Sequence, residues 1–161
     1  MATTPYVFRP MTATDLPLVR RWLTEPHVAA WWHDPETFAF VSGDLEHPDL
    51  AQFIVHLDGR PFAYLQCYQI GDWHDGFGPL PAGTRGLDQF IGEADMLGCG
   101  HGTAFIRAFI DRLVARGVPR IVIDPRPDNA RAIRAYEKAG FKKIGPIDTP
   151  DGVALLMVRN A

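Results

Sequence analysis

The sequence predicts an α/β domain built on a mixed central sheet with flanking helices, and three observations carry that prediction. Strand-like apolar runs alternate with amphipathic helical stretches along the chain. A helical stretch at 102–117 separates the strand-like segments 85–92 and 119–125, and such a crossover requires parallel pairing. Asp58-Gly59 and "DTPDG" stand as tight turns between strand-like runs, which signals antiparallel hairpins. With 161 residues, the chain 1–161 reads as a single domain with room for one proper core.

Each element has a local reason. "YVFR" (6–9) is a short strand. "TATDLPLVRRWL" (12–23) carries Leu16, Val19 and Leu23 along one helical side, with Thr14 or Asp15 near its cap. "EPHVAAWWHD" follows as a second short helix or turn, and 34–50 mixes loop and short helix. "AQFIVHL" and "RPFAYLQCYQI" form the hairpin around Asp58-Gly59, and the Gly/Pro-rich "GDWHDGFGPLPAGT" is a loop. "RGLDQFIG" (85–92) is the next strand. In "GTAFIRAFIDRLVARG", Phe105, Phe109 and Leu113 make an apolar stripe, and Gly117 suits a helix C-cap. "PRIVIDP" is an apolar strand, "DNARAIRAYEKAG" a helix, and "FKKIGPI" and "GVALLMVRN" the closing strands.

Composition narrows the function classes. A formal charge of −3 offers no basic footprint for nucleic acid. Cys67 and Cys99 have no framework spacing, the N-terminus lacks a signal-peptide pattern, and no apolar run reaches the roughly 18 residues of a membrane span. The expectation is a cytoplasmic protein with no membrane partner, a monomer or dimer.

The stretch "MLGCGHGTAF" (96–105) sets glycines at 98, 100 and 102 ahead of a helix. Each costs roughly 1 kcal/mol against alanine inside a helix, so the backbone has a task there. The first amides of a helix have no internal partner, and the helix dipole adds about half a positive charge. Glycines let an anion approach such a bowl of N–H groups, with a phosphate or pyrophosphate the natural guest. A tight turn packing helix on sheet is the alternative. The stretch lacks the Lys-Ser/Thr of a P-loop and the G-x-G-x-x-G of the dinucleotide fold.

"GCGHGTAFIRAFID" followed by "DNARAIRAYEKAGF" resembles the Gcn5-related N-acetyltransferase (GNAT) superfamily. The second pattern is matched by Asn129, Ala132, Ala135, Tyr136, Ala139, Gly140 and Phe141. "VAAWWHD", "FAYLQCY", "RGLDQFIGEADMLGCGHGT" and "TPDG" stand in the order seen in the aminoglycoside 6′-N-acetyltransferase branch, a likeness running from about Phe8 to Val158. Siderophore-type lysine or hydroxylysine N-acyltransferases share the "QFIGE…LG-x-G-x-G" segment, so that segment does not separate the two. A non-catalytic CoA-binding domain is a third reading. Where the superfamily usually has Arg or Gln before the first glycine, this chain has Leu97, as does the aminoglycoside branch. That shifts phosphate contact onto backbone amides.

The resemblance implies the GNAT fold, in which the fourth and fifth strands (85–92 and 119–124) splay at their ends. It also implies acetyl-CoA as co-substrate, held through its pyrophosphate by Gly98, Cys99, Gly100, His101, Gly102 and Thr103. The pantetheine arm would pair with the strand edge near Phe90, Ile91 and Gly92. Asp88 becomes the general base, acting directly or through water, or else a strand-end carboxylate satisfied by backbone. Tyr136 becomes the donor to the CoA sulfur, with core packing as the alternative. Asn129 caps its helix, bonds the pantetheine arm, or does both.

Other residues belong to the acceptor side. Gln66 and Tyr68 share a strand face by period two. Trp31 and Trp32 cannot both be buried on one helix face, and the resemblance favours Trp32 as a substrate wall. Asp124 ends an apolar strand, where carboxylates face a ligand crevice or make an Asp-Pro turn. Asp75 and Asp151 are substrate contacts by resemblance alone. Four carboxylates at 75, 88, 124 and 151 suit a polycationic sugar. Cys99 and His101 flank Gly100, but no second pair at suitable spacing supports a metal site. No nucleophile–base pair suggests a covalent enzyme, which leaves direct transfer from the thioester, and the resemblance implies the 6′-amine of an aminoglycoside as the acceptor.

Overall fold

A computed structural model describes residues 4–70 and 76–161. Seven strands form one sheet in the order β1-β2-β3-β4-β5-β7-β6. They are β1 (Tyr6–Pro10), β2 (Leu50–Leu57), β3 (Arg60–Gln69), β4 (Arg85–Ile91), β5 (Arg120–Ile123), β6 (Lys142–Thr149) and β7 (Gly152–Asn160). The helices are α1 (Leu16–Thr24), α2 (Pro26–Ala29), α3 (Thr37–Gly43), α4 (His101–Ala115) and α5 (Ala130–Lys138). The sheet is mixed as expected: β4 and β5 run parallel, while β1–β2, β5–β7 and β6–β7 are antiparallel. Parallel pairing of β4 with β5 covers Arg85↔Ile121 and Gly86↔Val122, and β4 then continues to Ile91.

The chain resolves into two compact units. One comprises 1–67 and 88–101, the other 68–87 and 102–161. In the first, α1 lays Val19 and Trp22 against Ile54, Tyr64 and Phe90 of the strands, with Val28 of α2 and Val41 of α3 completing the cluster. Asp58 and Gly59 both take positive φ, at +51° and +78°, the backbone of a tight hairpin between β2 and β3. Gly92 has a steric reason: a Cβ there would stand 2.1 Å from the Trp22 indole. Only glycine lets that ring lie flat on the backbone. Glu93 closes the arrangement, accepting from the Trp22 Nε1–H at 3.1 Å and from Arg21 at 2.7 Å.

In the second unit, the predicted stripe of α4 is buried through Phe105, Ile106, Phe109, Ile110 and Leu113. Val122 of β5 and Leu156 and Val158 of β7 pack with Phe77. Helix α4 starts at His101 rather than Gly102, and α5 spans Ala130–Lys138, within the 128–140 that the pattern implied.

Candidate active site

Gly86, Asp88 and Phe90 alternate along β4 and therefore share a face. Gln66 on β3 donates from Nε2 to Asp88 Oδ2 at 2.8 Å. Tyr64, two residues earlier on β3, donates its hydroxyl hydrogen to Gln66 Oε1 at 2.6 Å. Gln52 of β2 in turn donates from Nε2 to Tyr64 Oη at 3.0 Å and to the Val41 carbonyl at 2.8 Å. Burial pushes the Tyr64 phenol well above the usual tyrosine range. The Gln52 N–H works against that shift, and the negative charges of Asp88 and Asp44 add to it. Tyr64 is therefore a firmly protonated donor at any physiological pH.

An aromatic floor lies beside this row. The Phe90 ring stacks on Tyr64 with centroids 5.3 Å apart and meets Trp32 edge-on at 5.1 Å. Trp22 packs edge-on against Phe90 at 6.1 Å. Trp32 is half-buried in this group while Trp31 is 38% exposed, so the adjacent tryptophans divide between packing and solvent as their spacing requires.

Past β4 the chain makes a turn and opens α4. Gly98 and Gly100 take φ of +70° and +81°, left-handed conformations that a side chain would strain. A Cβ at either would meet nothing within 4 Å, so the constraint at these positions is backbone conformation and not crowding. Backbone bonding within the turn runs to Leu97, whose amide donates to Ala94 O at 3.2 Å. Amides that begin a helix lack a carbonyl one turn back. A phosphate-bearing donor fits this arrangement. The Cys99 side chain is exposed here. His101 sits against protein instead: its Nδ1 bonds the Tyr6 hydroxyl at 2.9 Å, and its ring meets Phe62. Two groups of the strand edge also have partners, since the Ile91 carbonyl accepts from His27 at 2.8 Å and the Gly92 amide donates to Phe62 O.

The remaining candidates lie in the second unit. Tyr68 packs its ring on Gly86, where a Cβ would come within 2.4 Å. Thr103, in the first turn of α4, donates to the Ala135 carbonyl at 3.4 Å. Asn129 caps α5, its Oδ1 accepting from the Ala132 amide at 3.3 Å. Tyr136 is buried and meets Phe141 edge-on. Asp124 follows β5 and is half-buried. Asp151 is exposed in the β6–β7 turn, its carbonyl accepting from Arg126. Asp75 lies outside the described residues.

Sequence reasoning reached Gln66 and Asp88 but passed over Tyr64 and Gln52. The period-two rule that pairs Gln66 with Tyr68 also puts Tyr64 on that face, and a glutamine inside the apolar run "AQFIVHL" was a second signal.

A half-buried carboxylate oriented by an amide, an aromatic floor, and a glycine turn opening a helix are the parts of an acyltransferase that draws on a phosphorylated thioester donor. The chain belongs to the GNAT acetyltransferase family: a family model described as an acetyltransferase (GNAT) domain matches residues 11–149. Within it the chain falls in the aminoglycoside 6′-N-acetyltransferase branch. It is 39% identical to the aminoglycoside N(6′)-acetyltransferase type 1 of Klebsiella pneumoniae, over 94% of this chain and 81% of that one. Structures of AAC(6′)-Ib superpose with it. One, in complex with coenzyme A and kanamycin, has a TM-score of 0.85 at 38% identity, covering 96% of this chain and 94% of that one. Another, in complex with parmomycin and acetyl-CoA, reaches 0.87 at 36%, covering 98% of this chain and 94% of that one. The N(6)-hydroxylysine O-acetyltransferase of Escherichia coli is 26% identical, over 85% of this chain and 46% of its own.

Proposed function

We propose that the chain transfers the acetyl group of acetyl-CoA directly to the 6′-amine of an aminoglycoside, with residues 1–161 acting as one catalytic domain in the cytoplasm. The observation that carries the mechanism is the Gln66–Asp88 bond, which presents an oriented carboxylate from the strand leading to the glycine turn. Acetyl-CoA supplies the activated acyl group. Asp88 takes a proton from the acceptor ammonium or from the attacking amine, directly or through one water, so that nitrogen can form the new C–N bond as the C–S bond breaks. Tyr136 returns a proton to the departing sulfur. Proximity supplies much of the rate, and the acid–base pair adds a hundred- to ten-thousand-fold.

On the donor side, the turn at Gly98–Thr103 holds the pyrophosphate, the strand edge at Phe90 and Ile91 receives the pantetheine arm, and Asn129 bonds that arm. On the acceptor side, Trp32, Gln66, Tyr68 and the carboxylates at 75, 88, 124 and 151 receive the cationic sugar. The partner is a small molecule, with neither nucleic acid nor membrane involved, and no helix among the described residues is long and apolar enough to cross a membrane. The acting species is a monomer or dimer.

A thiol-release assay with kanamycin-type aminoglycosides, polyamines and N-hydroxylysine side by side tests the reading. Turnover is expected with the aminoglycosides, with the product acetylated at the 6′ position by NMR. Turnover confined to N-hydroxylysine overturns it in favour of siderophore chemistry, and CoA binding without any turnover points to a non-catalytic domain.

A further inference from the structure

Gln52 is nine-tenths buried, and its Oε1 has no hydrogen-bond partner among the described residues. A buried acceptor without a donor costs about 1–3 kcal/mol, and such a position calls for a reason other than stability. The reason lies in where its NH2 points. The Val41 carbonyl can only accept, so Gln52 must present nitrogen to it, and the same nitrogen reaches Tyr64 Oη. With its oxygen accepting from Gln52, the phenol sends its single hydrogen to Gln66 Oε1. Gln66 is thereby left with its NH2 facing Asp88, whose carboxylate is again an acceptor. The row is polarised from end to end, every link donating toward Asp88. Turning the Gln66 amide over would set its carbonyl against a carboxylate and an N–H against the phenol hydrogen.

We propose that Tyr64 is a positioning residue for acetyl transfer: with Gln52 as its anchor, it locks the Gln66 amide so that Asp88 is held in the orientation that receives the proton of the acceptor amine. This rests on the reading of Asp88 as general base. Gln66 thus has a role beyond contact with the sugar, since its side chain is the last link between a buried polar anchor and the reacting carboxylate. The raised proton affinity of Tyr64 fits the role, because a donor that never ionises cannot reverse the row.

Tyr64→Phe removes only the hydroxyl and keeps the ring stacked on Phe90, so packing and hydrogen bonding separate cleanly. The expected result is a kcat about tenfold lower, the size of one hydrogen bond lost from the transition state, with the KM for acetyl-CoA unchanged. An N–H donated to a carboxylate favours its charged form, so releasing the Gln66 amide moves the acid limb of the kcat/KM profile to higher pH. Gln52→Leu strips the donor from the Val41 carbonyl yet leaves Tyr64 able to reach Gln66. It is therefore expected to lower the melting temperature more than Tyr64→Phe and kcat less. A purely structural role predicts the opposite coupling, with kcat following stability in both variants.

Two results overturn the proposal. A folded Tyr64→Phe protein with wild-type kcat and pH profile overturns it alone, provided Asp88→Asn is inactive in the same assay. Full activity in Asp88→Asn overturns the base reading, and the positioning role with it.

Discussion

Asp88 and Glu93 stand five positions apart on one segment of chain, yet the protein treats their carboxylates in opposite ways. Glu93 accepts from the Arg21 guanidinium at 2.7 Å and the Trp22 indole at 3.1 Å, and only 13% of its side chain is exposed. The guanidinium bond holds its carboxyl below the usual glutamate range against the opposing pull of burial, and the indole N–H adds to that. Asp88 is half-buried and accepts from the Gln66 amide at 2.8 Å. A charged donor fixes an anion permanently and suits a brace. The Gln66 amide orients its carboxylate without adding charge, which suits the base role proposed for Asp88.

The largest expected effect tests the base role proposed for Asp88. Asp88→Asn keeps size and hydrogen bonding to Gln66 but cannot take a proton, and kcat is expected to fall by about 10²–10⁴ with a nearly unchanged melting temperature. Steady-state thiol release and a thermal melt on the same sample check both halves.

At the structural end, Gly92→Ala drives a Cβ into the Trp22 ring, which is fully buried and has no slack to give. A loss of about 1–3 kcal/mol is expected, a fall of several degrees in melting temperature for a chain this size, together with a shifted tryptophan emission. Unchanged stability would mean that the indole is not seated on the strand backbone.

The smallest effect sharpens the contrast through pH. The folded pKa of Glu93 lies below its unfolded value, so its stabilisation is complete above the unfolded pKa of about 4.3 and disappears as pH falls through the folded value. Glu93→Gln is expected to cost about 1 kcal/mol at neutral pH, since Arg21 is half exposed and screened. The gap to wild type should close as pH drops below about 4. Urea titrations at several pH values measure it, and a gap that persists at pH 3 would show that ion pairing is not its source.

Much of the fold was legible because its signals are local. Asp58-Gly59 demands positive φ on both residues, and the structure supplies it. The Phe105, Phe109 and Leu113 stripe announced α4, and the glycines at 98 and 100 announced a left-handed backbone that most side chains would strain. Asp88 and Gln66 were each legible, one from the resemblance and one from strand alternation. Their bond to each other was not, because it depends on which residue of β4 lies opposite which residue of β3. Gln52 was harder still, since its partners Val41 and Tyr64 lie on a helix and on the neighbouring strand.

His101 shows the same limit from the other direction. Its place at the start of α4 marked it for phosphate, and the fold turns its ring to Tyr6 and Phe62, far earlier in the chain. The sequence by itself determined the order of strands and helices, the glycine turn and the family, because periodicity, turn chemistry and motif spacing act over a few residues. The tertiary structure alone decided that Arg21 and Trp22 hold the Glu93 carboxylate and that Gln66 donates to that of Asp88. That choice follows from the donors that distant segments bring within 3 Å, and hydrogen bonds at that range leave no periodic trace in the chain.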